Sequence, residues 1–249
     1  KLLAGIFLLI GVLSGGGCMT TYDLLRADPV PVSKFTGENV VLKDETPNYP
    51  FRKMWMAPKS EFLPYRKLII KHVDTSYVRE LSYWDKFNEA NMVNDYEQQA
   101  INIGKYMESS FRRALVNDPN CRFMLTSSPG SDTLVLQLAV IELVPTKATL
   151  SAIETIAGFF IPGVGLLTLL NSGKVACEGV VKDSVDGRVL WMFTAVDRDR
   201  GAVINIASFQ WFKGSENNID RWADYFVEII NAKDPVTVEA VFPFTILEY

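Results

Sequence analysis

From residue 96 onward the apolar residues of this chain fall into a helical rhythm. Tyr96, Ala100, Ile103, Met107, Phe111 and Ala114 recur every three or four positions, which places them on one face of a helix. The stretch predicts a helix over 94–117, with Asn94 or Asp95 suited to cap its start and Asp118-Pro119 closing its end. A second stripe, Ile219, Trp222, Phe226 and Ile229, predicts an amphipathic helix over 216–232. Between the two the period changes. In "TLVLQLAVIELVPT" both alternating faces are apolar: Leu134, Leu136, Leu138 and Val140 on one, Val135, Ala139, Ile141 and Leu143 on the other. Burial on both sides marks a central strand. "RKLIIKHVD" and "CRFMLTS" read as shorter strands. "KVACEGVVKDS" and "RVLWMFTAVDR" flank Val185-Asp186-Gly187, a hairpin signal whose Asp-Gly pair accepts positive φ.

These elements predict an α+β fold, with one antiparallel or mixed sheet of four to six strands carrying the two helices. Ahead of them, residues 19 to about 64 hold Pro29, Pro31, Pro47, Pro50, Pro58 and Pro64. Proline at that density interrupts helices and strand ladders. The segment reads as a tether followed by irregular chain, with Phe51, Trp55 and Phe62 docking its second half. The expected organisation is a leader over 1–17, a tether and Pro-rich segment over 18–64, a domain over 65–233 and an extended arm over 234–249.

Two local runs account for a mean hydropathy of +0.10. The internal one, "LSAIETIAGFFIPGVGLLTLLNSG", falls short of a membrane span, and Pro162 breaks it between Gly158 and Gly163. It is either a buried helical hairpin or loop, or an apolar surface that meets a bilayer or a partner. Phe159, Phe160, Ile161, Leu166, Leu167 and Leu169 are its candidate interface residues. The other run follows Lys1, from Leu2 to Leu13, and has the proportions of a signal-peptide core rather than a span of about 20 residues. Gly15, Gly16 and Gly17 supply small residues for cleavage, and Cys18 follows them.

That arrangement resembles a bacterial lipobox, whose cysteine is diacylated, becomes the first residue after cleavage and is usually acylated again. It departs from the usual pattern in carrying Gly15 where leucine stands three places before the cysteine. Met19, where enteric-type lipoproteins place an inner-membrane retention aspartate, points to the outer membrane, with the periplasmic side expected. Two or three acyl chains suffice for stable anchoring, whereas one binds marginally. Cleavage by ordinary signal peptidase is the alternative and would release a soluble periplasmic protein.

Charge and chemistry narrow the function classes. Lys and Arg number 25 against 29 Asp and Glu, and a mildly acidic chain lacks the clustered cations that nucleic acid requires. A single histidine, His72, reads as a residue on the polar face of a strand. No Gly-x-Ser-x-Gly elbow, phosphate-binding loop or Rossmann glycine pattern occurs. No catalytic residue, metal site or cofactor is therefore assigned. "DRDRG" at 197–201 reads as a solvated turn, and Cys121 and Cys177, both on predicted strands, read as buried thiols in preference to a disulfide.

Taken together, the helix "DYEQQAINIGKYMESSFRRAL", the strand ending "IELVPTKA" and the hairpin "EGVVKDSVDGRVLWMFTAVDRDRG" are similar to a known family. They resemble the bacterial lipoproteins of domain-of-unknown-function family 3313, with its "A-x-(L/I)-x-x-(V/L)-x-P" strand end and "G-x-(A/V)-x-x-x-D-S-x-(T/D)-G" hairpin. The likeness covers roughly residues 60–232. It implies a lipoprotein with an α+β domain and carries over no catalytic residue. The expected function is a non-catalytic envelope lipoprotein acting by protein interaction or assembly at the membrane. A periplasmic carrier of a lipid or other apolar ligand is the alternative, and a hydrolase comes last.

Overall fold

The structure, a computed structural model, describes residues 30–37, 42–44, 49–78, 90–144, 173–198 and 213–232, with side chains from 97 in the first helix and 215 in the last. In chain order these form β1 (Lys43–Asp44), β2 (Lys53–Met56), a 3-10 turn (Lys59–Phe62), β3 (Lys67–Ile70), α1 (Ala90–Asn117), β4 (Met124–Leu125), β5 (Thr133–Val144), β6 (Lys174–Asp183), β7 (Val189–Arg198) and α2 (Lys213–Asn231). One seven-stranded sheet runs in the order β1-β2-β7-β6-β5-β3-β4. Its neighbours are antiparallel apart from β3, which runs parallel to both β4 and β5. The architecture is thus the expected α+β arrangement, with a mixed sheet and two helices. The two outermost strands, β1 and β4, are only two residues long.

Alternation along the three long strands explains the layering. Leu134, Leu136, Leu138 and Val140 of β5, Val175, Cys177 and Val181 of β6, and Trp191, Phe193 and Ala195 of β7 share one cluster with Met107 and Phe111 of α1 and Ile219, Trp222 and Phe226 of α2. Both helices therefore cover the same face. At its centre Trp191 stacks on Phe226 with centroids 5.1 Å apart, and Phe51 lies 4.3 Å from Phe193. Each such buried side chain contributes about 1.5–3 kcal/mol. Ala139 and Ile141 of β5, with Ala176 and Val196, face the other way and are buried, whereas Leu143, expected on that face, joins the helix-side cluster and Val135 is half-buried. A bulge at Ile141 leaves it unpaired in the β5–β6 ladder.

Several boundaries move. The helix predicted over 94–117 starts at Ala90, so Asn94 and Asp95 lie inside it. The domain does not begin at 65, because the Pro-rich segment supplies β1, β2 and the buried Phe51 and Phe62. Prolines at 50, 58 and 64 sit outside β2 and β3, where their missing N–H groups cost no ladder bond. The Asp-Gly signal marks a hairpin, but its loop spans residues 184–188 instead of a two-residue turn. Gly187 alone among the loop residues takes positive φ, and the Asp183 carboxylate accepts the N–H groups of Val185 and Asp186. Asp197, expected in a solvated turn, lies within β7 and accepts the Trp222 indole N–H at 2.8 Å. The apolar segment of the fold prediction, 150–171, lies outside the described residues.

Two close arrangements generate predictions. Gly179 sits directly beneath the Phe193 ring, and an added Cβ would overlap the ring atoms. Gly179→Ala is expected to cost about 1–3 kcal/mol, read as a lowered midpoint in urea. Tyr65, nearly buried, donates its hydroxyl to Asp183 at 2.6 Å. Burial, reinforced by that bond, pushes the Tyr65 phenol up to about 12 from its ordinary 10. The stabilisation from the neutral phenol is complete below pH 10 and is lost as pH rises through about 12. Tyr65→Phe should cost about 1–2 kcal/mol at neutral pH and should abolish this alkaline loss. A gap between wild type and variant that stays constant from pH 8 to 12 would contradict the assignment.

Candidate functional site

Cys18 and the candidate interface residues Phe159, Phe160, Ile161, Leu166, Leu167 and Leu169 all lie outside the described residues, as do 1–17 and 234–249. What the described chain does show is how both regions join the fold. Val144 pairs with Lys174, so 145–172 leaves and rejoins the sheet at one end. We call this the loop end; the opposite, hairpin end carries the 184–188 loop.

Residues 30–37 form a strap across the face of the sheet that the helices leave open. Val30 and Phe35 pack on Ala139, Ile141, Ala176 and Val196, while Val32, Phe35 and Leu42 pack on Val180 and Met192. Tyr77 closes edge-on against Phe35, with centroids 5.5 Å apart. The strap turns at Lys34–Gly37, where Gly37 has φ of 109°, a conformation that favours glycine. Its polar fastening is Ser33. The Ser33 N–H donates to one oxygen of the Glu178 carboxylate at 2.6 Å, and its hydroxyl donates to the other at 2.7 Å. Glu178 is only 2% exposed, so these bonds offset the loss of water around a buried carboxylate. Glu142 on the same face is paired with Lys174.

Sequence reasoning missed this latch. The one available signal was Glu178 itself, a charge inside the otherwise apolar run "VACEGVV"; Ser33, 145 residues away, carries none. Direction along the strap is also informative. Val30 lies beside Ile141, Ala176 and Val196, close to the loop end, whereas Phe35 and Leu42 lie towards Val180 and Met192. The strap therefore runs from the loop end, at Val30, towards the hairpin end.

A second polar feature lies between α1 and α2, a groove of about 470 Å³ lined by Ser110, Arg113, Asp118, Asp220, Asp224 and Glu228, among others. Asp220 accepts from Tyr106 at 2.8 Å, from Ser110 at 2.6 Å and from Arg113 at 2.7 Å. Burial, and then the adjacent Asp220 carboxylate, raise the Asp224 carboxyl above its usual range. The groove's strongest donors and acceptors thus satisfy one another and knit the helices together.

The remaining candidate chemistry is dispersed. His72 follows the end of β3, with its side chain 98% exposed and Nδ1 2.8 Å from Glu108. Cys121 precedes β4 instead of lying on a strand and is half-buried, while Cys177 is buried; both are free. Burial pushes the Cys177 thiol up, and the neighbouring Glu178 adds to the effect. Among the described residues no group of three or more His, Cys, Asp or Glu is placed to hold a metal, and no helix is long and apolar enough to cross a membrane.

Comparison with known proteins places the chain in a family. Among solved structures it is similar to the PelC dodecamer from Paraburkholderia phytofirmans, at 14% identity over 69% of this chain and 94% of that one, with a TM-score of 0.35. A variant PelC dodecamer from the same organism aligns at 13% identity over 67% and 94% of the two chains, with a TM-score of 0.31. No curated protein matches. Residues 32–226 match the family described as "Protein of unknown function (DUF3313)", a span that begins in the strap and ends in α2. The chain belongs to this DUF3313 family.

Proposed function

We propose that this protein is a non-catalytic lipoprotein of the bacterial cell envelope, fixed to the outer membrane through acylated Cys18 and acting by protein interaction or assembly there. The observation that carries the reading is the direction of the strap. Its first described residue, Val30, lies near the loop end, and there the chain leaves the sheet at Val144 and returns at Lys174, the sequence between them holding Phe159, Phe160, Ile161, Leu166, Leu167 and Leu169. An acyl anchor and an apolar contact surface at one end of a domain suit work beside a bilayer. Val30 follows Cys18 by twelve positions, so a fully extended connection would reach at most about 40 Å. The domain would then stay close to the membrane instead of ranging on the long tether that the prolines suggested.

Filling of the space between sheet and helices favours surface interaction over carriage of an apolar ligand. Phe51, Phe111, Trp191, Phe193 and Phe226 occupy that layer, each with at most 1% of its surface exposed. The carrier alternative needs a pocket in the same place.

The anchoring claim is tested by metabolic labelling with a fatty-acid analogue, comparing wild type with Cys18→Ser. Label in the wild type and none in the variant is expected. An unlabelled wild type released in soluble form would leave the alternative of ordinary signal-peptidase cleavage.

A further inference from the structure

At the hairpin end, away from the proposed anchor, three cations converge on one corner. Lys59 donates through Nζ to the carbonyls of Ile229 at 3.3 Å and Ile230 at 2.7 Å, at the C-terminus of α2. Arg122 donates to the Phe62 carbonyl at 3.2 Å, its guanidinium lies 4.6 Å from the Phe123 ring centre, and its backbone N–H meets Asn231. Arg66 donates to the carbonyls of Leu63 and Tyr65. The two arginines thus bind consecutive carbonyls of one short turn, at Phe62 and Leu63. Met124 N–H to Arg66 C=O, at 2.9 Å, ties the arginine-bearing segments together.

Among the described residues, the corner lacks negative charge. No carboxylate among the described residues pairs with any of the three. The adjacent acids are engaged elsewhere, Glu61 with Arg188 and Asp118 with Asn120 and Asn231. Helix C-terminal carbonyls account for Lys59, but they leave most guanidinium donors of Arg66 and Arg122 unused. The Arg122 Nε is buried without a partner. Mutual repulsion is evident as well. Burial, and after it Arg122, lowers Lys59 to about 8, and burial, with Arg66 next, lowers Arg122. In a chain with four more acidic than basic groups, three cations gathered without a counter-charge among the described residues carry an unmet electrostatic cost.

We infer that Arg66 and Arg122, with Lys59 behind them, form a binding site for a phosphate-type oxyanion. Guanidinium groups suit that chemistry because their planar fork meets two oxygens at once. The shared chemistry has two sources, a soluble phosphate-bearing ligand and a phospholipid headgroup. The corner's position at the hairpin end favours the soluble source, and this choice alone rests on the anchoring proposed above.

Calorimetric titration of the purified full chain at low ionic strength tests the site, using inorganic phosphate and, separately, dihexanoyl phosphatidylglycerol. Saturable phosphate binding is expected. It should weaken about ten- to a hundredfold in Arg66→Gln/Arg122→Gln and be unchanged in Lys43→Gln, an exposed residue of β1. Arg66→Gln alone serves if the double variant loses its wild-type thermal midpoint, since Arg66 is exposed. No saturable phosphate binding by the wild type, or equal binding by the arginine variants, would overturn the site. Tighter binding of the phosphatidylglycerol than of phosphate would overturn the soluble source, whatever the outcome of acyl labelling.

Discussion

The sheet is buried on both faces, and everything else in the fold answers to that fact. β5, β6 and β7 present apolar side chains in both directions, so the domain needs two covers. Two amphipathic helices provide the first, with an aromatic layer of Trp191, Phe193 and Phe226 between them and the sheet. The second is a strap of eight described residues too short to bury a carboxylate by packing alone. Ser33 makes that burial tolerable by giving each oxygen of Glu178 a donor, and so fixes where the strap lies. Charge-assisted bonds of this kind contribute about 1.5–3 kcal/mol each.

The strap also decides what the N-terminal region is. Read as sequence, 18–64 is a tether followed by irregular chain, docked in its second half through Phe51, Trp55 and Phe62. In the structure its described part is a cover, two strands, a 3-10 turn and two core phenylalanines. The two ends of the sheet differ: Val30 lies near the loop end, where the chain leaves the sheet at Val144 and returns at Lys174, while the hairpin end carries the cationic corner around Arg66 and Arg122.

Legibility in the sequence followed element length and periodicity. Both helices show three or more turns of a regular stripe, and β5 shows alternation of apolar residues on two faces, so their types and the interior place of β5 in the sheet could be read directly. β1 and β2 are two and four residues long, and no period can be recognised over so few positions; β3 and β4, equally short, were read from their apolar content. The hairpin was legible but its loop was not, because Asp183 caps Val185 and Asp186 with its own side chain and keeps Asp186 out of positive φ. Long-range polar pairs were invisible for a different reason. Ser33–Glu178, Tyr65–Asp183 and Arg122–Phe62 join residues 60 to 145 positions apart, and nothing in the sequence marks the two members of a pair as partners. The sequence-derived site residues, Cys18 and the six apolar positions of 159–169, lie outside the described chain, and only their points of attachment enter the account.

Amide hydrogen exchange at Ser33 tests the central claim most directly, because that N–H is one of the two bonds holding the strap to Glu178. The account predicts protection in the wild type well above that of an unstructured peptide, and a marked fall at residues 33–37 in Glu178→Ala while the amides of α1 are unchanged. A Ser33 amide exchanging at the unprotected rate in the wild type would contradict it, leaving the second face of the sheet without its fastening.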